Sequence, residues 1–384
     1  MKMEEGFSES DSAYMREAIL LARNGEGRVA PNPPVGCVLV RDGGIIARGW
    51  HDRLGDLHAE AMALRQAGDN ARGATAYVTL SPCTSHGRQP PCADALVRAG
   101  VAAVVIAATD PNPQNCSGAD ALRKAGVPVK TGLLRDEAEY LARGFFKMAR
   151  HGLPYLTLKY AMTLDGRIAA VSGDSRWVSG PASRERVQDM RSRSDAILVG
   201  SGTAIADDPL LTVRDPVLAA RGGPGRHPQP LRVVADSACR TPPEAAMLHP
   251  GDTPAGPVLI ACVHGCDPAA VEALRRAGAE VLPLPSADGR VPLRALLQEL
   301  ARKGVNNVLC EGGGALAAGL LADGLVDEVT AFIAPKIIGG FSAPGPVGGP
   351  GLACMADAYQ INVKECIPVG DDIMLTGLLE NHKS

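Results

Sequence analysis

A chain of 384 residues, 46% apolar and 21% charged, has room for about two or three domains and is too apolar to be disordered throughout. Its 39 basic and 42 acidic residues give a net charge of −3, and its five Phe, six Tyr and two Trp are few, so both clustered cations and stacking rings for nucleic acid are missing. No uncharged apolar stretch reaches the roughly 20 residues a membrane-spanning helix needs, and Met1-Lys2-Met3-Glu4-Glu5 lacks the basic and apolar blocks of a secretory signal, so a cytoplasmic protein with reduced cysteines is expected.

In chain order, Ser12–Arg23 reads as a helix with Ser12 as its N-cap and Met15, Ile19 and Ala22 on one face. Val35–Val40 and Ile45–Trp50 flank Asp42-Gly43-Gly44 and predict a hairpin. A helix His58–Ala67, a strand Ala76–Leu80, a helix Pro91–Ala99 and a strand Val101–Ala108 follow. Then come a helix Ala119–Lys124, a strand Val127–Val129 and a helix over 136–149. The domain boundary falls in Arg150-His151-Gly152-Leu153-Pro154.

Beyond it, strands are predicted at Tyr155–Lys159, Ala196–Val199, Leu231–Ala235, Val258–Cys262, Asn307–Cys310 and Glu328–Ala334, with helices over 184–191, 269–276, 291–302 and 315–322. The Pro/Gly-rich stretches 215–230 and 339–351 read as loops. Such alternation builds βαβ crossovers and a largely parallel sheet, hence two α/β domains in tandem, 1–148 and 153–384.

Of the ten cysteines, Cys37, Cys239, Cys262, Cys266, Cys310, Cys354 and Cys366 lie in apolar or loop contexts and read as small hydrophobes without a ligand set. Cys83 and Cys92 differ. His58-Ala59-Glu60 opens a predicted helix, Cys83 follows Ser81-Pro82 at a strand end, and Cys92 starts another helix after Pro91. One imidazole and two thiolates suit a tetrahedral Zn²⁺ whose fourth position stays open, the catalytic arrangement; His86 is the nearby residue that could close it. The dipole of a helix favours a thiolate at its N-terminus, as at Cys92. Glu60 points roughly 200° around the helix from His58, too far to share its ligand face but near enough to shuttle protons. This is the H-x-E … P-C … C pattern of zinc nucleobase deaminases.

Eight residues, Thr84 to Pro91, separate the two cysteines, where the general pattern has C-x-x-C. That spacing, with Pro31-Asn32-Pro33-Pro34-Val35-Gly36 upstream and Asp110-Pro111-Asn112-Pro113-Gln114 downstream, resembles the pyrimidine deaminase of riboflavin biosynthesis over residues 10–145. The resemblance implies a cytidine-deaminase-like α/β/α domain acting on 2,5-diamino-6-ribosylamino-4(3H)-pyrimidinone 5′-phosphate. It also implies one Zn²⁺ per chain on His58, Cys83 and Cys92, with Glu60 as proton shuttle and Asn32, His51, His86, Arg88 and Asn112 lining the pocket. Ser81 stands where that family usually has Glu.

The second half carries no G-x-G-x-x-G after its first strand, so a Rossmann domain is not expected. Its phosphate signal is Glu311-Gly312-Gly313-Gly314 between a strand and a helix, where exposed N–H groups and the helix N-terminus favour an anion. Lys159, Asp207 and Glu311 stand at strand ends or in the segments after them, where a proton donor can sit beside a carboxylate, and Arg191 and Arg214 can hold a phosphate.

Lys159-Tyr160-Ala161-Met162-Thr163-Leu164-Asp165-Gly166-Arg167, Gly173-Asp174-Ser175-Arg176-Trp177, the run Ile197–Arg214 and Ile333-Ala334-Pro335-Lys336 resemble the reductase partner of the same pathway. That family implies a dihydrofolate-reductase-like α/β domain and NADPH, contacted by Ala161, Trp177, Thr203, Asp207, Ser237 and the run Gly313, Gly314, Ala315, Leu316, Ala317, Ala318 and Gly319. Ser175, Arg191, Leu211, Arg214 and Glu311 would meet the phosphorylated substrate. The expected whole is a bifunctional, homo-oligomeric (most simply dimeric) enzyme that deaminates first and reduces second, with a small phosphorylated pyrimidine rather than nucleic acid or membrane as its partner.

Overall fold

The computed structural model describes residues 6–85, 90–112, 117–214 and 228–380. The chain divides into two compact units, Met1–Gly152 and Leu153–Ser384.

The first unit contains strands β1 (Gly36–Arg41), β2 (Gly44–Trp50), β3 (Thr75–Leu80), β4 (Ala103–Ala108) and β5 (Val129–Thr131), in sheet order β2-β1-β3-β4-β5. The β1–β2 and β1–β3 pairs are antiparallel, and β3, β4 and β5 run parallel. Asp42 and Gly43, with φ of 53° and 76°, make the tight hairpin turn the sequence predicts.

Six helices cover the sheet: α1 (Glu9–Ala22), α2 (Ala59–Ala67), α3 (Cys92–Ala99), α4 (Gly118–Lys124), α5 (Arg135–Leu141) and α6 (Arg143–His151). Side chains alternate along each strand, and both faces are apolar. Cys37 and Leu39 pack in one cluster with Ala63, Leu96 and Leu122 of α2, α3 and α4. Val38 and Val40 pack in another with Met15, Leu141 and Phe146 of α1, α5 and α6. The result is an α/β/α sandwich.

Local chemistry moves some boundaries. α1 begins at Glu9, not at Ser12, because Ser8 and Asp11 form a reciprocal capping box: the Asp11 N–H donates to Ser8 Oγ at 3.1 Å and the Ser8 N–H to Asp11 Oδ2 at 2.8 Å. The helix predicted over 136–149 is two helices that break at Ala142, whose ψ of 22° leaves the helical range. The strand predicted at Val127–Val129 forms instead at Val129–Thr131.

The second unit is one nine-stranded sheet, ordered β10-β9-β8-β7-β11-β6-β12-β14-β13. Its strands are β6 (Tyr155–Thr163), β7 (Ala196–Gly200), β8 (Leu231–Ala235), β9 (Val258–Val263), β10 (Glu280–Leu284), β11 (Asn307–Gly312), β12 (Glu328–Ala334), β13 (Ile361–Val369) and β14 (Asp372–Leu379). All pairs from β10 to β12 are parallel, whereas β14 runs antiparallel to both β12 and β13. The described helices are α7 (Pro181–Ser192), α8 (Ser201–Asp207), α9 (Pro268–Arg276), α10 (Leu293–Arg302) and α11 (Gly314–Ala322).

Again both faces are buried: Leu198, Val233 and Leu259 pack with Leu297, Leu300 and Leu320, while Ile197, Val234 and Ile260 pack with Met247 and Leu274. The parallel strands therefore read as continuous apolar runs, which made them legible. No described helix is long and apolar enough to cross a membrane.

Candidate active sites

Both sites form at the C-terminal ends of parallel strands, where α/β folds leave a crevice. In the first unit His58 is the N-cap of α2, Cys83 follows β3, and Cys92 is the first residue of α3. Two glycines permit this packing. A Cβ at Gly49 would lie 2.1 Å from the Ala59 carbonyl oxygen, and one at Gly118 would lie 2.0 Å from that of Pro82. With any larger residue, α2 and the Pro82-Cys83 segment would be displaced.

Cys92 Sγ and Cys83 Sγ stand 3.3 Å and 3.6 Å from His58 Nδ1. The Cys92 N–H donates to Cys83 Sγ at 3.4 Å, and the three ligand atoms all lie within 4.8 Å of one another. A tetrahedral zinc, with bonds of about 2.3 Å to sulfur and about 2.0 Å to nitrogen, separates its S and N ligands by about 3.6 Å. The trio fits that ion.

The Cys92 thiol, donating to Cys83, together with His58 pulls the Cys83 thiol down to about 4; the same contact pushes the Cys92 thiol up. Glu60 is buried with its carboxylate against the Cys92 thiol, and burial pushes its pKa up to about 7. A carboxyl so poised can take and return a proton near neutral pH.

His51 packs its ring 5.4 Å from that of His58, is buried, and leaves Nε2 without a hydrogen-bond partner. Burial, then the His58 charge, pushes its pKa down to about 4, so it is a neutral imidazole at pH 7. Asn32 lies in the turn before β1, its N–H donating to the Val29 carbonyl. Asn112 follows β4, its N–H donating to Oδ1 of the buried Asp110 at 2.8 Å. His86 and Arg88 lie outside the described residues.

Among the described residues three offer ligands to this ion, so Cys83→Ser or Cys92→Ser is expected to lose the metal at this site. Cys116→Ser, at a position outside the described residues, should keep the metal content of the wild type. Metal analysis of the folded variants, with circular dichroism as the folding control, checks both.

In the second unit β6 and β11 pair in parallel, Leu158 opposite Cys310, which places Lys159 and Glu311 at adjacent positions. Arg191 of α7 closes the group: its Nε and Nη2 donate to Glu311 Oε1 at 2.5 Å and Oε2 at 2.9 Å, and its Nη1 donates to the Thr212 carbonyl at 3.0 Å. Burial alone would raise the Glu311 pKa, but the Arg191 and Lys159 charges win and hold it below the usual carboxylate range. Lys159, whose Nζ lies 5.9 Å from the Phe332 ring centre, has its pKa lowered by burial. The sequence identifies all three residues but not their joining, which depends on the β6–β11 pairing and the packing of α7; β6 runs on to Thr163, so Lys159 lies mid-strand and not at the strand end expected from the sequence.

The expected nucleotide segments also converge on these ends. Thr203 and Asp207 lie on α8 after β7, Ser237 follows β8, and Gly313 caps α11 after β11. A Cβ at Gly312 would come within 3.1 Å of Thr203 Oγ1, and Gly313 has φ +87°, so α8 meets the glycine turn along bare backbone. Leu316 and Ala317 bury their side chains in the core, so the 313–319 segment presents backbone and its small residues.

Ala161 lies on β6, and Trp177 and Ser175 in the loop after it. The loop is held by Arg176 Nη2 donating to the Asp207 carbonyl, Lys336 Nζ donating to the Trp177 carbonyl, and the Arg184 guanidinium 4.5 Å above the exposed Trp177 ring. The Leu211 side chain is buried among core residues, leaving its backbone to meet a ligand. Arg214 is exposed, and its N–H donates to Gln188 Oε1.

Residues 8–108 match the family described as cytidine and deoxycytidylate deaminase zinc-binding region, and residues 154–375 match the RibD C-terminal domain. The chain belongs to the RibD family. The riboflavin biosynthesis protein RibD of Escherichia coli (strain K12) is 44% identical over 371 residues, covering 95% of this chain and 98% of that protein. Acinetobacter baumannii RibD, form 1, superposes with a TM-score of 0.84 at 38% identity, over 97% of this chain and 99% of the other. A Thermotoga maritima diaminohydroxyphosphoribosylaminopyrimidine deaminase/5-amino-6-(5-phosphoribosylamino)uracil reductase gives 0.82 at 32% identity, over 96% and 99%.

As a RibD-family protein the chain is a bifunctional enzyme of riboflavin biosynthesis, a hydrolase and an oxidoreductase in one polypeptide. Its α/β/α unit is the cytidine-deaminase-like domain, and its nine-stranded unit is the reductase domain with a dihydrofolate-reductase-like fold.

Proposed function

We propose that the N-terminal site, within residues 1–148, holds one zinc ion on His58, Cys83 and Cys92 and replaces the amino group of 2,5-diamino-6-ribosylamino-4(3H)-pyrimidinone 5′-phosphate by oxygen, releasing ammonia. The observation that carries this reading is the spacing of the trio with a buried carboxyl, Glu60, beside it. Zinc, when bound, supplies a Lewis acid that ionises water near neutral pH. Glu60 takes the water's proton and returns it to the leaving nitrogen. His51, neutral with a free Nε2, offers a hydrogen bond to a pyrimidine edge, and Asn32, His86, Arg88 and Asn112 complete the pocket.

The C-terminal site, within 153–384, then reduces the ribosyl side chain to give 5-amino-6-ribitylaminouracil 5′-phosphate, NADPH supplying the hydride when bound. Ala161, Trp177, Thr203, Asp207, Ser237 and the run 313–319 receive the cofactor; Ser175, Leu211, Arg214 and Glu311 receive the substrate. Arg191 spends three donors on Glu311 and Thr212, so the phosphate falls mainly to the exposed Arg214 while Arg191 holds the carboxylate in place. Lys159, in reach of the Glu311 charge, is the proton source for ring opening, and Asp207, exposed at the end of α8, is the further carboxylate assigned to this chemistry. The working form is a cytoplasmic homodimer.

NADPH rather than NADH is expected to support the reduction, with kcat/KM for NADPH at least tenfold higher. Steady-state oxidation of each cofactor with pre-deaminated substrate checks this, and equal values would contradict it.

A further inference from the structure

Outside both sites the fold gathers three more thiols. Cys239 lies in the turn after β8, Cys262 in β9 and Cys266 in the turn that follows β9. They read as unrelated in sequence; the parallel pairing of β8 with β9, Ala235 opposite Ala261, brings the strand ends side by side. Their three Sγ atoms all lie within 4.8 Å of one another. Cys239 and Cys262 are buried, and Cys266 is partly exposed.

Beside them Asp236 is fully buried. Its Oδ2 accepts from the N–H and hydroxyl of Thr241 at 2.6 and 2.7 Å, but Oδ1 has no hydrogen-bond partner. Its charge reaches Cys262. An unsatisfied buried carboxylate oxygen is costly in a protein interior, and a nearby cation offsets that cost. Three sulfurs favour a thiophilic ion over a hard, oxygen-seeking one. Ligand sulfurs on a tetrahedral zinc stand about 3.8 Å apart, a spacing the cluster accommodates.

We propose that Cys239, Cys262 and Cys266 form a second metal site, for one thiophilic divalent cation of the zinc class, with its fourth position open on the side of Cys266. Each thiol loses its proton to the solvent on ligation. The ion would pin the turn after β8 to the end of β9. That turn carries Ser237, whose Oγ accepts from the Val291 N–H at 3.1 Å and whose carbonyl accepts from the protonated Cys266 thiol at 3.0 Å, a bond that ligation of Cys266 would exchange for the metal. The site stands on the cluster itself, independently of the roles given to Ser237 and to the deaminase centre.

The test is anaerobic Co²⁺ titration of the full-length, reduced, metal-stripped protein, read by thiolate-to-cobalt charge-transfer absorption. Wild type should bind two equivalents. One should remain in Cys83→Ser/Cys92→Ser, and one in Cys262→Ser/Cys266→Ser. Should the buried Cys262 change unfold the domain, Cys266→Ser alone, at the partly exposed position, should weaken the second equivalent at least tenfold with circular dichroism unchanged. A single equivalent in wild type, abolished by Cys83→Ser/Cys92→Ser, would overturn the proposal. So would a reduced, folded protein that takes no second equivalent while the unreduced protein, once denatured, titrates two thiols short of its ten, which would make the cluster a disulfide-forming pair.

Discussion

Glu60→Gln is expected to leave zinc bound and to lower deamination by about 10²–10⁴-fold, the range that positioned proton transfer contributes. Glutamine keeps the size of the buried side chain and most of its hydrogen bonding, so His58, Cys83 and Cys92 should keep their spacing. What it loses is the ability to hold a proton, which burial has tuned to about 7 in the wild type. Reduction of pre-deaminated substrate should proceed at the wild-type rate, since Glu60 belongs to a separate compact unit. Ammonia release, NADPH oxidation and zinc content on one preparation check all three; a joint loss of both activities in a folded protein would defeat the two-site account.

Glu311→Gln is expected to lower kcat/KM for reduction by about 10- to 100-fold, at roughly 1.4 kcal/mol per tenfold, while deamination and zinc content stay unchanged. The carboxylate is buried, gripped bidentately by Arg191 and faced by Lys159, so it can stabilise the positive charge that develops as the ring-opened imine forms. Glutamine still offers Arg191 one acceptor but no counter-charge, and breaking a buried ion pair by removing one charge costs up to about 3–5 kcal/mol. The reductase domain should therefore melt earlier as well as turn over more slowly.

The pH dependence separates the two effects. Because the folded-state pKa of Glu311 lies below its unfolded value, its stabilising contribution is fully present above the ordinary carboxylate range and is lost as pH falls through the folded value. The gap in Tm between wild type and variant should thus close on acidification. Wild-type reduction by the variant, with normal melting, would return Glu311 to the status of a strand-end acid.

The parts of this fold legible in sequence are those whose physics is local. Buried parallel strands such as Leu231–Ala235 and Glu328–Ala334 form at the predicted bounds because their apolar runs are covered on both faces. The terminal hairpin β13–β14 escaped because the alternation of Ile361, Val363, Ile367 and Val369 in the edge strand β13 is broken by Glu365, and Pro368 reads as a strand breaker. β10 carries Pro283, which disguises it as a loop, and α8 starts in Gly-Ser-Gly, a poor helix signal.

The grouping of His58, Cys83 and Cys92 was legible because a zinc site demands particular residue types, two of them here at helix starts. The Arg191–Glu311 pair and the Cys239–Cys262–Cys266 group were not, since the first depends on how α7 packs and the second on the pairing of β8 with β9.

The most direct measurement follows the diaminopyrimidinone phosphate through the wild-type enzyme, first without NADPH and then with it, recording ammonia and NADPH in the same vessel. One equivalent of ammonia should appear before any cofactor is added, and one equivalent of NADPH should be oxidised afterwards. NADPH oxidation with no prior ammonia release, or ammonia release that requires NADPH, would contradict an enzyme that deaminates at its zinc centre and reduces at a second site.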